Sequence, residues 1–222
     1  MKHFLKQLSC VGAVAAAFSL ITTAACAQWY TFGNTLNKGN IGVAATGQYT
    51  TSITSQVYGS NGEILPHQAT TDSPGVLVNL RFHPVSWAGV EVNYQYTKFQ
   101  ERYFNAATSR PAAFLPTNLH EATAAYMIHL KMHHVQPYLG IGGGYTDFTL
   151  TDGLRNSNNQ WRGTGLVDVG WDMQTRSRLG FRMGARDLMY RAPNYNNPGL
   201  SSSRWVSTEE PYAGVYIKLN RQ

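Results

Sequence analysis

Arg178, Arg182 and Arg186 recur at intervals of four, with Gly180 and Gly184 between them. On an extended strand that spacing sets three guanidinium groups on one face. Such a row would draw small anions if water threads past it. Arg81, Glu91, Glu121, Lys131, Arg162, Asp168, Asp172 and Lys218 fall on the same polar parity of their own segments. Acids and bases gathered in one narrow interior must pair and hydrogen-bond, because desolvation costs several kcal/mol per ion. The conducting row therefore competes with a salt-bridged plug, and the pairing requirement favours the plug.

Other chemistry-bearing residues converge less well. His129, His133 and His134 copy the spacing of a helical zinc site. On a strand and turn that spacing does not bring the rings together, and no cysteine or local carboxylate completes the ligand set. No metal and no cofactor is expected. The Gly140-Ile141-Gly142-Gly143-Gly144 run lacks the following helix that would present amides to a phosphate. A lipid A-modifying hydrolase would need a serine with its base and an orienting acid. His120 and Glu121 at a strand end and Ser201-Ser202-Ser203 in a loop are the available parts. Their spacing matches no such motif, and a polar loop rim is the simpler reading.

The elements that must position these residues are strands. Eight segments alternate with period two: about 41–49, 75–83, 88–97, 120–132, 136–146, 160–173, 178–189 and 211–219. One face of each is apolar, and only Asp187 brings a charge to it. Short connections near 83–86, 133–134 and 175–177 alternate with long ones near 50–74, 98–118, 147–159 and 190–209. That alternation, with polar residues inward and apolar residues outward, predicts an all-β, eight-stranded antiparallel up-and-down transmembrane β-barrel. Tyr49, Tyr96, Tyr145 and Trp161 fall at the loop ends of their strands, and Phe82, Trp171 and Phe181 towards the turn ends. Two such belts are the interfacial girdles of a membrane barrel.

The chain has 222 residues, 14% of them charged, and a net charge of +6. No cluster of basic residues marks a nucleic-acid surface, so no nucleic-acid partner is expected. Lys2 and Lys6, the apolar run from Val11 to Ile21 and Ala25-Cys26-Ala27 have the order of a signal peptide cleaved after Ala27. A lipoprotein reading would lipidate Cys26, but Thr23 stands where such signals place leucine. Cleavage removes Cys10 and Cys26, and with them any disulfide or thiolate site. The expected organisation is residues 1–27 as signal peptide, 28–40 as a short periplasmic lead and 41–222 as the barrel.

The segment Val135-Gln136-Pro137-Tyr138-Leu139-Gly140-Ile141-Gly142-Gly143-Gly144-Tyr145 resembles a strand common in small outer-membrane β-barrel proteins of the OmpA/OmpX type. The last strand, with Tyr212, Gly214, Ile217 and Leu219, is similar to the assembly signal of that family. It departs from the family in ending on Leu219 and Asn220-Arg221-Gln222 instead of an aromatic residue. The resemblance implies a bacterial outer-membrane location, lipid and lipopolysaccharide as surroundings, and insertion by the barrel-assembly machinery. It implies no enzyme, and a role in envelope structure or in surface contacts through the long loops. Arg102, Arg110, Arg191 and Arg204 are placed there to meet phosphate or sugar acids of a surface ligand. A narrow anion-permeable channel and a lipid A-modifying hydrolase stand as the alternatives.

Overall fold

Successive side chains on a strand point to opposite faces, and here the alternation of the sequence becomes the two faces of a closed sheet. The computed structural model describes residues 39–50, 53–58, 64–104, 111–130, 132, 135–151, 159–175, 177–195 and 204–219, with backbone alone for 53–58, 64–67 and 111–113. The chain divides into two units, Met1–Asn37 and Lys38–Gln222. The expected signal peptide and residues 28–38 of the expected lead lie outside the described residues. Gly39 and Asn40, also expected in that lead, are already strand.

Among the described residues ten strands follow in order: β1 (Gly39–Thr50), β2 (Ile53–Tyr58), β3 (Ile64–Thr70), β4 (Ser73–Val85), β5 (Ala88–Phe104), β6 (Pro111–His129), β7 (Val135–Leu150), β8 (Gln160–Gln174), β9 (Leu179–Arg191) and β10 (Trp205–Lys218). Eight of them, all but β2 and β3, pair antiparallel with their neighbours. β1 joins β10, and the β5–β6 pairing completes the ring. The fold is thus an all-β, eight-stranded antiparallel barrel. Closure leaves no unpaired edge in the ring.

The first long connection, expected as a loop, holds the β2–β3 hairpin. It docks on the far end of β5 through Gln68↔Tyr103, Ala69↔Arg102 and Thr70↔Glu101. The alternation beyond Thr97 includes charged residues on both faces, which hides the continuation of β5 to Phe104. β10 likewise begins at Trp205, earlier than expected.

Outward side chains are apolar from the short turns to near the loops. They include Val90, Val92, Tyr94 and Tyr96 on β5, Phe181 and Met183 on β9, and Val215 and Ile217 on β10. Inward, large residues need room from their cross-strand partners. Tyr138 lies opposite Gly170 and Tyr212 opposite Gly184. A Cβ at Gly170 would stand 2.6 Å from the Tyr138 hydroxyl, and one at Gly184 would stand 2.9 Å from that of Tyr212. Gly170 on β8 and Gly184 on β9 are therefore seats for tyrosine rings.

Candidate functional site

The turn-end half of the lumen is built by two hairpins, each carrying its own cross-strand ion pair. Arg81 faces Glu91 across β4–β5, and Asp172 faces Arg182 across β8–β9. Arg81 Nε donates to Glu91 Oε2 at 2.6 Å, and Arg182 Nε donates to Asp172 Oδ1 at 2.7 Å. The pairs also exchange across the bore. Arg81 Nη1 donates to Asp172 Oδ2 at 2.8 Å, and Arg182 Nη1 reaches Glu91 Oε2 at 3.4 Å. Arg182 further donates to Asn79 Oδ1 at 2.7 Å and Asn40 Oδ1 at 3.1 Å. The Arg81 guanidinium stacks 4.4 Å from the Tyr138 ring. Two bases and two acids thus close a neutral ring with each charge shared twice.

Above this ring the hydroxyls of Tyr138 and Tyr212 meet, and Tyr212 donates to Asp168 Oδ1 at 3.0 Å. One layer further, Arg186 Nη2 binds Glu121, Glu210 Oε2 at 2.7 Å and Gln95 Oε1 at 3.1 Å. Gln95 Nε2 closes that layer on Glu210 Oε1 at 2.6 Å. Beside it and towards the loops the filling becomes apolar. Phe99, Leu119, Phe148, Leu166, Leu188 and Val206 pack with Tyr190 and Tyr195 in one buried cluster.

Residues 192–195 lie over this cluster. Gln160 Oε1 accepts from the backbone amides of Asn194 at 2.7 Å and Tyr195 at 3.0 Å. Tyr195 adopts φ 47°, a left-handed conformation uncommon for a non-glycine residue. Its hydroxyl is 2.9 Å from Thr117 Oγ1.

Of the charges expected inside, Arg81, Glu91, Glu121, Asp168, Asp172, Arg182 and Arg186 are buried in the lumen. Arg178 is not. It sits exposed in the bend before β9, which starts only at Leu179. The expected three-membered ladder therefore loses its first rung, and the other two belong to separate networks. Lys218, the last residue of β10, is half-exposed at the turn-end rim. Arg162 is half-exposed at the loop end, where Nη2 donates to Asn194 Oδ1 at 3.2 Å. Lys131 lies outside the described residues.

Glu210 and Glu101, both about 1% exposed or less, were not expected inside because their strands run further than the alternation suggested. Among the described residues the interior thus buries Arg81, Arg182 and Arg186 against Glu91, Glu101, Glu121, Asp168, Asp172 and Glu210. The sequence placed seven bases and four acids there, so that excess of bases is reversed. His129 is buried, and its Nε2 lies 3.1 Å from Arg81 Nη1, which donates to it.

On the outside, Tyr49, Tyr96, Tyr145 and Trp161 stand exposed towards the loop ends. Trp171 and Phe181 stand exposed towards the turns, with Phe82 half-buried there. Trp87 and Trp205 extend the two groups. Asp187 is half-buried on this face and accepts from Ser207 at 2.5 Å. On β10, Tyr212 and Gly214 turn inward, whereas Ile217, and Leu219 just past the strand's end, are exposed outward.

No family model and no curated protein matches the chain. Among solved structures it is similar to Neisserial surface protein A, with 14% sequence identity and a TM-score of 0.54, over 82% of this chain and 97% of that one. It is also similar to the outer membrane protein OprG from Pseudomonas aeruginosa, with 13% identity and a TM-score of 0.48, over 83% and 97% of the two chains. The first likeness shows a shared barrel fold. At that identity it transfers no residue role.

Proposed function

We propose that the protein is a sealed, non-enzymatic barrel of a bacterial outer membrane, exported by a cleaved signal peptide, and that its work is done at the loop-end surface. One observation carries this reading. The outer wall is apolar over the span of the barrel, while the bore is filled by ion pairs at one end and by an apolar cluster at the other. An apolar wall belongs against lipid, where a closed barrel satisfies every backbone group. A filled bore leaves the rim and loops as the surface on which partners can act. Envelope lipid and lipopolysaccharide would surround the barrel, with exposed Arg191, 5.8 Å over the Trp205 ring, facing their phosphates. Outward Ile217 and Leu219 would be the contacts offered to the assembly machinery. The anion path expected from the arginine row has lost both its spacing and its charge excess.

Conductance across planar bilayers tests the sealed lumen. The refolded protein is expected to insert without discrete openings, and Arg182→Ala to stay closed as well, because the Arg186 layer and the apolar cluster still fill the bore. Anion-selective openings in the unmodified protein would overturn the reading. So would an altered set of lipid A masses in cells that produce it, which would reveal a hydrolase.

A further inference from the structure

Four successive strands carry outward side chains that meet in one row at the loop end. Tyr145 lies opposite Gly163, and Trp205 lies opposite Arg191. The Thr164↔Tyr190 pair sets Gly163 beside Arg191, so the row runs Tyr145, Gly163, Arg191, Trp205. All four are exposed on the outer wall, as is Trp161 on the loop side of Gly163. A Cβ at Gly163 would meet nothing within 4 Å. The row is therefore an open bay. Its floor is Gly163, its walls are Tyr145 and Arg191, and Trp161 stands at its loop side. A membrane crossing takes about 9–11 residues of tilted strand. That length separates Arg191 from Phe181 on β9, and Trp161 from Trp171 on β8, so the bay opens at the height of the lipid headgroups.

The charge of the bay is unmatched. Among the described residues neither Arg191 nor Arg162 takes part in an ion pair. Burial and the charge of Arg191 lower Arg162 from its ordinary value, and no carboxylate raises it. Arg162 Nε is buried with no hydrogen-bond partner. The nearby outward acids are engaged elsewhere, Asp147 by Thr149 and Asn159 and Asp187 by Ser207. A guanidinium binds phosphate through paired N–H donors. Exposed aromatic rings offer flat apolar faces to the C–H faces of a sugar. A bay that presents both at headgroup height suits a phosphate borne on a sugar.

We propose that this bay is a discrete seat for one outer-leaflet glycolipid, whose sugar-borne phosphate pairs with Arg191 while the sugar lies over Gly163 between Tyr145 and Trp161. Other lipids would surround the barrel without saturating any one place on it. The seat requires the loop end to face the outer leaflet, as proposed above. A conducting barrel could still hold the lipid, and a sealed one could lack the seat, so the two readings fail separately.

Native mass spectrometry of the refolded full chain in detergent, titrated with bisphosphorylated lipid A, counts the molecules bound. One saturating adduct is expected. Removing the phosphates from the lipid, or Arg191→Gln, is expected to weaken it about tenfold or more, in line with the strength of hydrogen bonds to charged groups. Gly163→Leu is expected to weaken it similarly, because it fills the floor and removes no charge. The dephosphorylated lipid is tested on the unmodified protein, which keeps the comparison valid if a variant fails to fold. Arg178→Gln, at the turn end, is expected to leave the adduct unchanged. Equal binding by Arg191→Gln or by Gly163→Leu would overturn the seat, as would an equal loss in Arg178→Gln. Phosphatidylglycerol bound as tightly as lipid A would overturn it in favour of a general anionic-lipid surface. Glucosamine 1-phosphate bound as tightly would overturn it in favour of a soluble sugar phosphate.

Discussion

The two ends of the lumen solve one problem by opposite means. At the turn end, Arg81, Glu91, Asp172 and Arg182 fill the bore with charge, and each charge is paired twice. At the loop end, Phe99, Leu119, Phe148, Leu188 and Tyr195 fill it with apolar surface. Tyr195 apart, both sets occupy the inward parity of the barrel strands. The strand pattern decides only that a side chain faces inward. What it meets there depends on the inward residues of strands far away in sequence. Charge suits the turn end because each hairpin supplies its own pair at a fixed register. The loop end has registered pairs too, Leu119 opposite Phe148 and Leu166 opposite Leu188, but Ala192 and Tyr195 join its cluster from beyond the end of β9. Dispersion and the hydrophobic effect tolerate that looser geometry.

The largest expected effect strikes the charged end. Arg81→Met removes a partner from both Glu91 and Asp172 and leaves their carboxylates buried. Breaking a buried pair in this way costs about 3–5 kcal/mol. Urea unfolding in lipid vesicles, followed by tryptophan fluorescence, measures it. A loss below about 1 kcal/mol would mean that water solvates the ring, and the contrast between the two ends would collapse.

Next in size is a cavity at the apolar end. Leu188 is fully buried among Phe148, Leu166 and Tyr190. Leu188→Ala is expected to cost about 3 kcal/mol, within the range for buried leucines. In the same urea titration a neutral outcome would show that the apolar end is loosely filled, and that the ionic ring alone closes the bore.

How much of this was legible in the sequence follows from what each signal depends on. The barrel was legible because period-two alternation and the rhythm of short and long connections are local properties. Arg81 and Glu91, like Asp172 and Arg182, bracket short turns, so their facing each other follows from hairpin register. Glu101 and Glu210 were hidden because the outward face beyond the apolar band is polar too, with Lys98, Gln100 and Glu209 exposed there. Alternation of hydrophobicity fails where both faces meet water. Arg178 misled for the opposite reason. Its spacing continued a row that the backbone abandons at the bend before Leu179. The capping of the loop end by residues 192–195 depends on Gln160, which lies 34 and 35 positions from the two amides it accepts. No local pattern reports such a contact.

The most local expected effect lies where the two styles of filling meet, at an acid on the apolar end. Glu101 has an ordinary value near 4.5 and is raised to about 7 by burial, against the lowering effect of hydrogen bonds from Tyr103, Gln68 and Tyr195. When the hairpin opens, water reaches the carboxyl and its value falls back. Between about pH 4.5 and 7 the closed state then holds a proton that the open state has released. Closure is thus strongest at low pH and weakens as pH rises through that window, by at most about 1.4 kcal/mol per pH unit. Hydrogen exchange at the Thr71 amide, which donates to Gln100 O at 3.0 Å beside Glu101, reads the hairpin directly. Its protection factor, corrected for intrinsic exchange, is expected to fall from pH 5 to pH 8 in the unmodified protein and to stay level in Glu101→Gln. Equal pH dependence in both proteins would mean that Glu101 is solvated in the closed state. The loop end would then be no drier than the turn end.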